Sequence, residues 1–111
     1  MRMWNIDPKL MCRQHLLGEH VEMHMFKAVI LGGKSVNGYL KNGLLNLGEI
    51  KKRHDVLVYE MIRRGFEHKS PMNSFNEGKE TITVSTRNNL VDLHKRCSAC
   101  KELFIAQGAL V

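Results

Sequence analysis

The 111-residue chain, with 43% hydrophobic and 25% charged residues, is long enough for one domain with a modest core. It has no apolar run of the roughly 20 residues that a membrane span needs, and its first residues lack the apolar segment of a signal peptide. We therefore expect a cytoplasmic protein, which would be associated with the nucleoid, or lie in the host cytoplasm if the protein is viral. Seventeen Lys and Arg against eleven Asp and Glu leave a net charge of +6, which favours a polyanionic partner, nucleic acid before acidic membrane, over a charge that serves solubility alone.

The first predicted helix begins at Asp7-Pro8, because Asp is a good N-cap and Pro fits the first helical position. It runs to about Ile30 and ends at Gly32 and Gly33. Its apolar residues recur at helical spacing and predict a buried stripe, which consists of Leu10, Met11, Leu17, Val21, Met25 and Phe26.

A second helix is predicted after a loop at residues 32–47 that is rich in glycine and asparagine. This helix runs from about Leu47 to Arg64, and Gly65 is a natural C-terminal stop. Its buried stripe is formed by Ile50, His54, Leu57 and Met61.

The rest of the chain predicts one further helix. Residues 66–80 are polar, and residues 81–84 alternate like a short strand that is too isolated to build a sheet. Ser85 or Thr86 can then cap a third helix that runs to about Ala106. The sequence therefore predicts an all-α fold, a compact single domain of about three main helices joined by long ordered loops, over all 111 residues.

Histidine and glutamate are dense in the first helix, at spacings that can bind a metal. His15 shares a helix face with Glu19, and His20 shares one with His24. Because no second cluster in the sequence supplies the remaining ligands, we expect no metal at these side chains. A metal-dependent enzyme built on this helix is the alternative.

Cys97 and Cys100 have the spacing of a zinc or redox pair, but they also continue the apolar stripe of the third helix. That stripe consists of Leu90, Leu93, Cys97, Cys100 and Phe104. Buried free cysteines pack as small hydrophobic residues, and Cys12 alone cannot complete a four-ligand zinc site. We therefore expect the pair to serve packing, with no metal and no cofactor.

Positive charge is concentrated on the second helix at residues 51–53 and 63–64. Arg53 and Lys69 flank the turn Gly65-Phe66, where backbone N–H groups could approach a phosphate. A solvated helix face would explain the same charges, but the overall basicity favours a contact with nucleic acid.

These residues together resemble the pyrimidine-dimer DNA glycosylases, the family of bacteriophage endonuclease V. The chain opens Met-Arg-x-Trp and continues through Cys-Arg-x-His-Leu-Leu-Gly-Glu-His-x-Glu-x-His at residues 12–24. Lys52-Arg53, Arg64-Gly65-Phe66 and Lys69 then follow in the order of the family. The resemblance covers residues 1 to about 72 and implies a DNA-repair glycosylase that also nicks the strand as an AP lyase.

In this family the N-terminal α-amine attacks C1′ of the damaged nucleotide, displaces the base and forms a Schiff base, and β-elimination nicks the strand. α-Amines titrate near about 7.7–8.0, against about 10.4 for lysine, so more of an α-amine is nucleophilic at neutral pH. The resemblance implies that the α-amine of Met1, retained because the bulky Arg2 follows it, is the nucleophile and that Glu22 is the catalytic carboxylate. It implies a set of DNA-contacting residues, to which the basic segment adds Arg53: Arg2, Gln14, His15, Arg53, Gly65, Phe66 and Lys69.

The resemblance further implies damaged double-stranded DNA as the partner, no membrane, and a monomer, with the cyclobutane pyrimidine dimer as the expected lesion. Two positions depart from the pattern. Val21 stands where an Arg usually precedes the catalytic Glu, and Met25 replaces another basic residue. Because each lost phosphate contact weakens binding, a non-catalytic module that binds damaged DNA is the second interpretation. The chain also shows no counterpart to the aromatic-rich C-terminal segment of the phage enzyme, so another damaged or modified pyrimidine is a second candidate lesion.

Overall fold

The computed structural model describes residues 1–108, which form helices joined by ordered loops. The elements are a 3-10 turn at Pro8–Leu10 and five α-helices: α1 Arg13–Leu31, α2 Asn37–Lys41, α3 Ile50–Arg63, α4 Thr86–Arg96 and α5 Ser98–Gly108. The prediction of an all-α fold is confirmed, since β pairing in this range is limited to one antiparallel bridge between Leu47 and Thr81. No helix in residues 1–108 has the length and apolarity needed to cross a bilayer.

The first predicted helix is divided near its start. Asp7 does act as a cap, because its side chain accepts a hydrogen bond from the backbone N–H of Lys9 at 3.0 Å. The turn then ends at Met11, whose backbone is extended, and α1 begins after Cys12. Predicting one continuous helix from Asp7 was therefore wrong, whereas its end beside Gly32 is as expected.

α1 packs against α3, and the face that it buries agrees only in part with the predicted stripe. Val21 and Met25 are 53% and 46% exposed. The buried residues of α1 are Leu16, Glu19, His20, Met23 and Phe26. The predicted stripe is therefore right for Met11 and Phe26, which are fully buried, and wrong for Val21 and Met25. Glu19 takes a core position instead, because it pairs with Arg53 of α3.

The stripe predicted for α3 is confirmed, since Ile50, His54, Leu57 and Met61 are all buried. Glu77, from the long loop that follows α3, accepts hydrogen bonds from the backbone N–H groups of Gly48, Ile50 and Lys51 at 2.8, 2.9 and 3.3 Å. A carboxylate at a helix N-terminus satisfies free N–H donors and suits the helix dipole. This contact ties the loop to the helix.

The predicted third helix is two helices. Cys97 has an extended backbone (φ −139°, ψ 107°) and separates α4 from α5. The predicted stripe is correspondingly interrupted: Leu93 and Cys100 are buried, Cys97 is half-buried, and Phe104 is 40% exposed. The break allows α5 to turn back onto the 3-10 turn near the N-terminus.

Candidate active site

The first four residues are held in an extended segment by three different parts of the molecule. The backbone N–H of Met3 donates to the carbonyl of Leu44 at 2.7 Å, and that of Trp4 donates to Glu19 Oε2 of α1 at 3.2 Å. From α4, the Asn89 amide donates to the carbonyls of Met3 and Trp4 at 3.3 and 2.7 Å. The chain terminus is therefore fixed in position between α1 and α4.

This arrangement places the terminal amine beside Glu22 of α1. The Met1 nitrogen lies 3.8 Å from Glu22 Oε1, and the side chain of Glu22 is 28% exposed. Burial raises the pKa of Glu22 above its ordinary value, and the terminal amine and the backbone N–H of Arg2 partly oppose that shift. A carboxylate next to an amine can exchange a proton with it.

A cleft of about 470 Å³ opens at this pair. It is lined by Met1, Arg2, Trp4, His15, Glu22, Leu44 and Arg96. A second cleft of about 550 Å³ shares part of the same lining and extends along α1 past Gln14, Gly18 and Val21. The two predicted catalytic residues thus lie together at an open surface that continues along one face of a helix.

Gln14 and His15, which the sequence predicts as DNA contacts, line these clefts. His15 meets the ring of Trp4 edge-on, with centroids 6.1 Å apart. Burial, together with the charge of Arg96, lowers the pKa of His15, so the imidazole is neutral at neutral pH. A neutral imidazole can donate a hydrogen bond without carrying charge.

Two predicted DNA contacts are engaged within the protein. Arg2 pairs with Asp92 at 2.8 Å, donates to Asn89 at 2.6 Å, and stacks on Trp4 at 3.8 Å from the ring centroid. Arg53 is only 6% exposed and binds both carboxylate oxygens of Glu19, at 2.6 and 2.9 Å. Arg53 is therefore the partner of a buried carboxylate, and the sequence-based expectation of a surface cation is wrong.

The other predicted contacts lie in the turn that follows α3. Gly65 has a positive φ of 85°, a conformation that favours glycine, and its backbone is exposed. Phe66 packs partly against the core, under the guanidinium of Arg13 at 5.1 Å. Lys69 is 84% exposed and 3.3 Å from Glu67. These three residues remain predicted DNA contacts.

The sequence reasoning did not identify three cleft residues, Trp4, Leu44 and Arg96. The sequence could have indicated Trp4 as a cleft residue, because it is the aromatic residue of the opening Met-Arg-x-Trp motif. No sequence pattern indicates Arg96 as a cleft residue, since it lies far along the chain and approaches the ring of Trp4, at 5.9 Å, only through the packing of α4.

Two groups of side chains bring metal-binding atoms close together. Cys12, His15, Cys97 and Cys100 place one donor atom each within 4.8 Å of one another. The expectation that Cys12 alone is available to Cys97 and Cys100 is therefore wrong, because His15 of α1 supplies the fourth donor. No sequence pattern indicated that the two ends of the chain meet here.

The second group consists of His20, His54 and His68, with His24 stacked beside them. His20 Nε2 and His68 Nε2 are 3.1 Å apart. His54, however, has Asp55 Oδ1 at 2.9 Å from Nδ1 and the Ser70 carbonyl at 3.1 Å from Nε2. Because both of its ring nitrogens face oxygen acceptors, neither directs a free lone pair towards the cluster, which argues against a metal there.

We expect this histidine cluster to make the fold sensitive to acid. Burial, and after it the neighbouring His54, His24 and His68, lower the pKa of His20 from 6.5 to about 4. Between pH 6.5 and about 4 the unfolded chain therefore binds a proton that the folded chain does not. The contribution of His20 should lower the free energy of unfolding by up to about 3 kcal/mol across this window and level off below it.

Urea denaturation at a series of pH values measures this loss. His20→Gln should flatten the slope, because the cluster then lacks its most shifted group. His94→Gln on α4, outside the cluster, is the matched control and should keep the slope of the wild type. An unaltered slope in His20→Gln would show that other groups cause the acid sensitivity.

Comparison with known proteins gives one match. A family model described as pyrimidine dimer DNA glycosylase matches residues 1–74, which include Met1, Glu22 and the turn after α3. Searches of curated proteins and of solved structures gave no significant match. The match ends before α4 and α5, although Asn89 and Asp92 of α4 hold the N-terminal segment in place.

Proposed function

Because this chain belongs to the pyrimidine dimer DNA glycosylase family, a family of DNA-repair enzymes, we propose that it excises a damaged pyrimidine with its N-terminal amine and then nicks the strand. The observation that carries this proposal is the 3.8 Å separation between the Met1 nitrogen and Glu22 Oε1 in an open cleft. An amine and a carboxylate in contact are the two groups that an imine-forming lyase requires.

The proposed reaction begins when the neutral amine of Met1 attacks C1′ of the damaged nucleotide. The bond from C1′ to the base breaks, and its electron pair leaves with the base. The sugar ring then opens to give a Schiff base between Met1 and C1′. Loss of a C2′ proton expels the 3′ phosphate by β-elimination, and water finally hydrolyses the imine to release the enzyme.

In this scheme Glu22 transfers protons and stabilises positive charge. It would take the proton that the amine loses on attack, stabilise the positive charge that develops at C1′, and move the protons of ring opening and elimination. Its raised pKa supports this assignment, since a carboxyl that titrates closer to neutrality both accepts and returns a proton more readily.

DNA would lie across the clefts on the surface of α1, with the damaged nucleotide extruded towards Met1. The net charge of +6 supplies the general attraction for the phosphates. Gln14 and His15 line the cleft, and the exposed turn at Gly65 and Lys69 would contact the backbone. We propose damaged double-stranded DNA as substrate, with the cyclobutane pyrimidine dimer as the lesion and a monomer as the active form.

A second candidate is a non-catalytic module that binds damaged DNA. It is favoured by Val21 and Met25, which expose apolar side chains on α1 where basic residues are expected from the family resemblance. Such a module would bind bent or damaged duplexes in a salt-sensitive manner and would leave them intact.

Borohydride trapping on ultraviolet-irradiated and abasic duplexes tests the proposal. We expect nicking of both substrates and, with borohydride, a covalent adduct that peptide mass spectrometry maps to the amine of Met1. Acetylation of that amine should abolish the adduct. Binding without any adduct would support the second candidate, and an adduct in the acetylated protein would refute the terminal nucleophile.

A further inference from the structure

The four donors of the cysteine–histidine group, Cys12, His15, Cys97 and Cys100, come from two similar local structures. Cys12 immediately precedes α1 and His15 lies in its first turn, while Cys97 immediately precedes α5 and Cys100 lies in its first turn. Both pairs have two intervening residues. A pair with this spacing across a helix start directs two side chains to one point, which is how short ligand pairs hold zinc.

The distances between these atoms suit a tetrahedral ion. Cys12 Sγ lies 3.8 Å from Cys97 Sγ and 3.2 Å from His15 Nδ1, and Cys100 Sγ lies 3.7 Å from His15 Nδ1. With Zn–S near 2.3 Å and Zn–N near 2.0–2.1 Å, tetrahedral ligands would stand about 3.8 Å apart for two sulfurs and about 3.5 Å for sulfur and nitrogen. All three cysteines are free.

Backbone groups also point at the sulfurs. The N–H of Cys12 donates to Cys100 Sγ at 3.2 Å, and the N–H of Cys100 donates to Cys97 Sγ at 3.4 Å. Hydrogen bonds of this kind stabilise thiolates in the surroundings of a metal.

We propose that Cys12, His15, Cys97 and Cys100 bind one zinc ion in a closed, structural site. Three thiolates and one imidazole form a ligand set that selects zinc among the common divalent ions, and four protein ligands leave no open position for catalysis. The site joins residues of the family-matching part of the chain to residues that lie beyond it.

The ion would fix a helix that has little packing to hold it. Cys100 is the buried residue of α5, whereas Phe104 and Ile105 are 40% and 57% exposed. A helix with so little buried apolar surface gains little from packing, and metal coordination supplies the missing constraint.

Coordination would also shape the cleft. His15 lines the cleft, and binding through Nδ1 leaves Nε2 as a fixed N–H donor. Arg96, another lining residue, directly precedes Cys97. One ion would therefore set the position of two side chains in the wall beside Met1 and Glu22.

Metal analysis of the purified protein tests the site directly. Protein expressed with zinc and purified under reducing conditions should contain about one zinc per chain. Replacement by Co²⁺ should give the thiolate charge-transfer absorption and strong visible bands of a tetrahedral sulfur-rich site. A wild type that holds no zinc and shows no charge-transfer absorption with Co²⁺ would overturn the proposal, and this readout needs no variant to fold.

Variants locate the ion. Cys97→Ser should lose the zinc, whereas Ser98→Ala at the neighbouring exposed position and His68→Gln in the histidine cluster should keep it. Glu22→Gln should also keep it, so failure of the proposed catalysis and failure of the zinc site are separable. Zinc that persists in Cys97→Ser but is lost in His68→Gln would place the ion at the histidine cluster and refute the assignment.

Discussion

Glu22→Gln is expected to lower both strand nicking and borohydride trapping by at least about 100-fold, the low end of what a positioned acid–base group contributes. The amide has nearly the shape of the carboxyl, so the side chain should still occupy its place 3.8 Å from the amine of Met1. It can no longer accept the proton of the amine or stabilise positive charge at C1′. Single-turnover nicking of an abasic duplex measures the chemical step.

Glu102→Gln, an exposed glutamate of α5, is the matched control and should retain the activity of the wild type. Both variants should bind the damaged duplex, since neither loses a cation. Equal nicking rates in the wild type and Glu22→Gln would contradict the role of Glu22. Lost binding together with lost nicking would instead assign Glu22 to the positioning of DNA.

Met1 and Glu22, which line one cleft, were both identified from the sequence because each lies in a motif of the family resemblance, at residues 1–4 and 12–24. Met1 and Glu22 belong to the segment that carries the family resemblance, and the helical period of α1 keeps residues 14–22 on neighbouring turns. The buried stripe of α3 was equally predictable from the sequence, since its buried positions repeat at helical spacing. Local patterns of this kind are preserved when the chain folds.

Contacts between segments that are distant in the chain have no such local pattern in the sequence. Cys12 and Cys97 approach within 3.8 Å because the backbone is extended at Cys97 and α5 turns back, and neither event follows from the spacing of apolar residues. The two wrong positions in the stripe predicted for α1, Val21 and Met25, have a related origin. Predicting a helix face from its hydrophobic stripe assumes that charged residues face water. Glu19 is only 1% exposed, because it forms a buried ion pair with Arg53.

Glu19→Leu is expected to lower the free energy of unfolding by about 3–5 kcal/mol, a large share of the stability of a small domain. Arg53 would remain buried without a partner for its charge, and the backbone N–H of Trp4 would lose its acceptor. Urea denaturation at neutral pH measures the change. Glu67→Gln, which removes one member of an exposed pair with Lys69, is the control and should leave the midpoint where it is.

The double variant Glu19→Leu/Arg53→Met separates the ion pair from the anchoring of the N-terminus. Replacing both charges with apolar side chains should recover most of the lost stability, since a buried pair is costly chiefly when one partner is missing. The N–H of Trp4 would still lack its acceptor, so the terminal amine should be held less firmly beside Glu22. We therefore expect the double variant to fold stably yet trap less adduct than the wild type, because even a small displacement of a reacting group strongly lowers the reaction rate. Trapping at the wild-type level in a stable double variant would show that Leu44 and Asn89 alone suffice to hold the nucleophile.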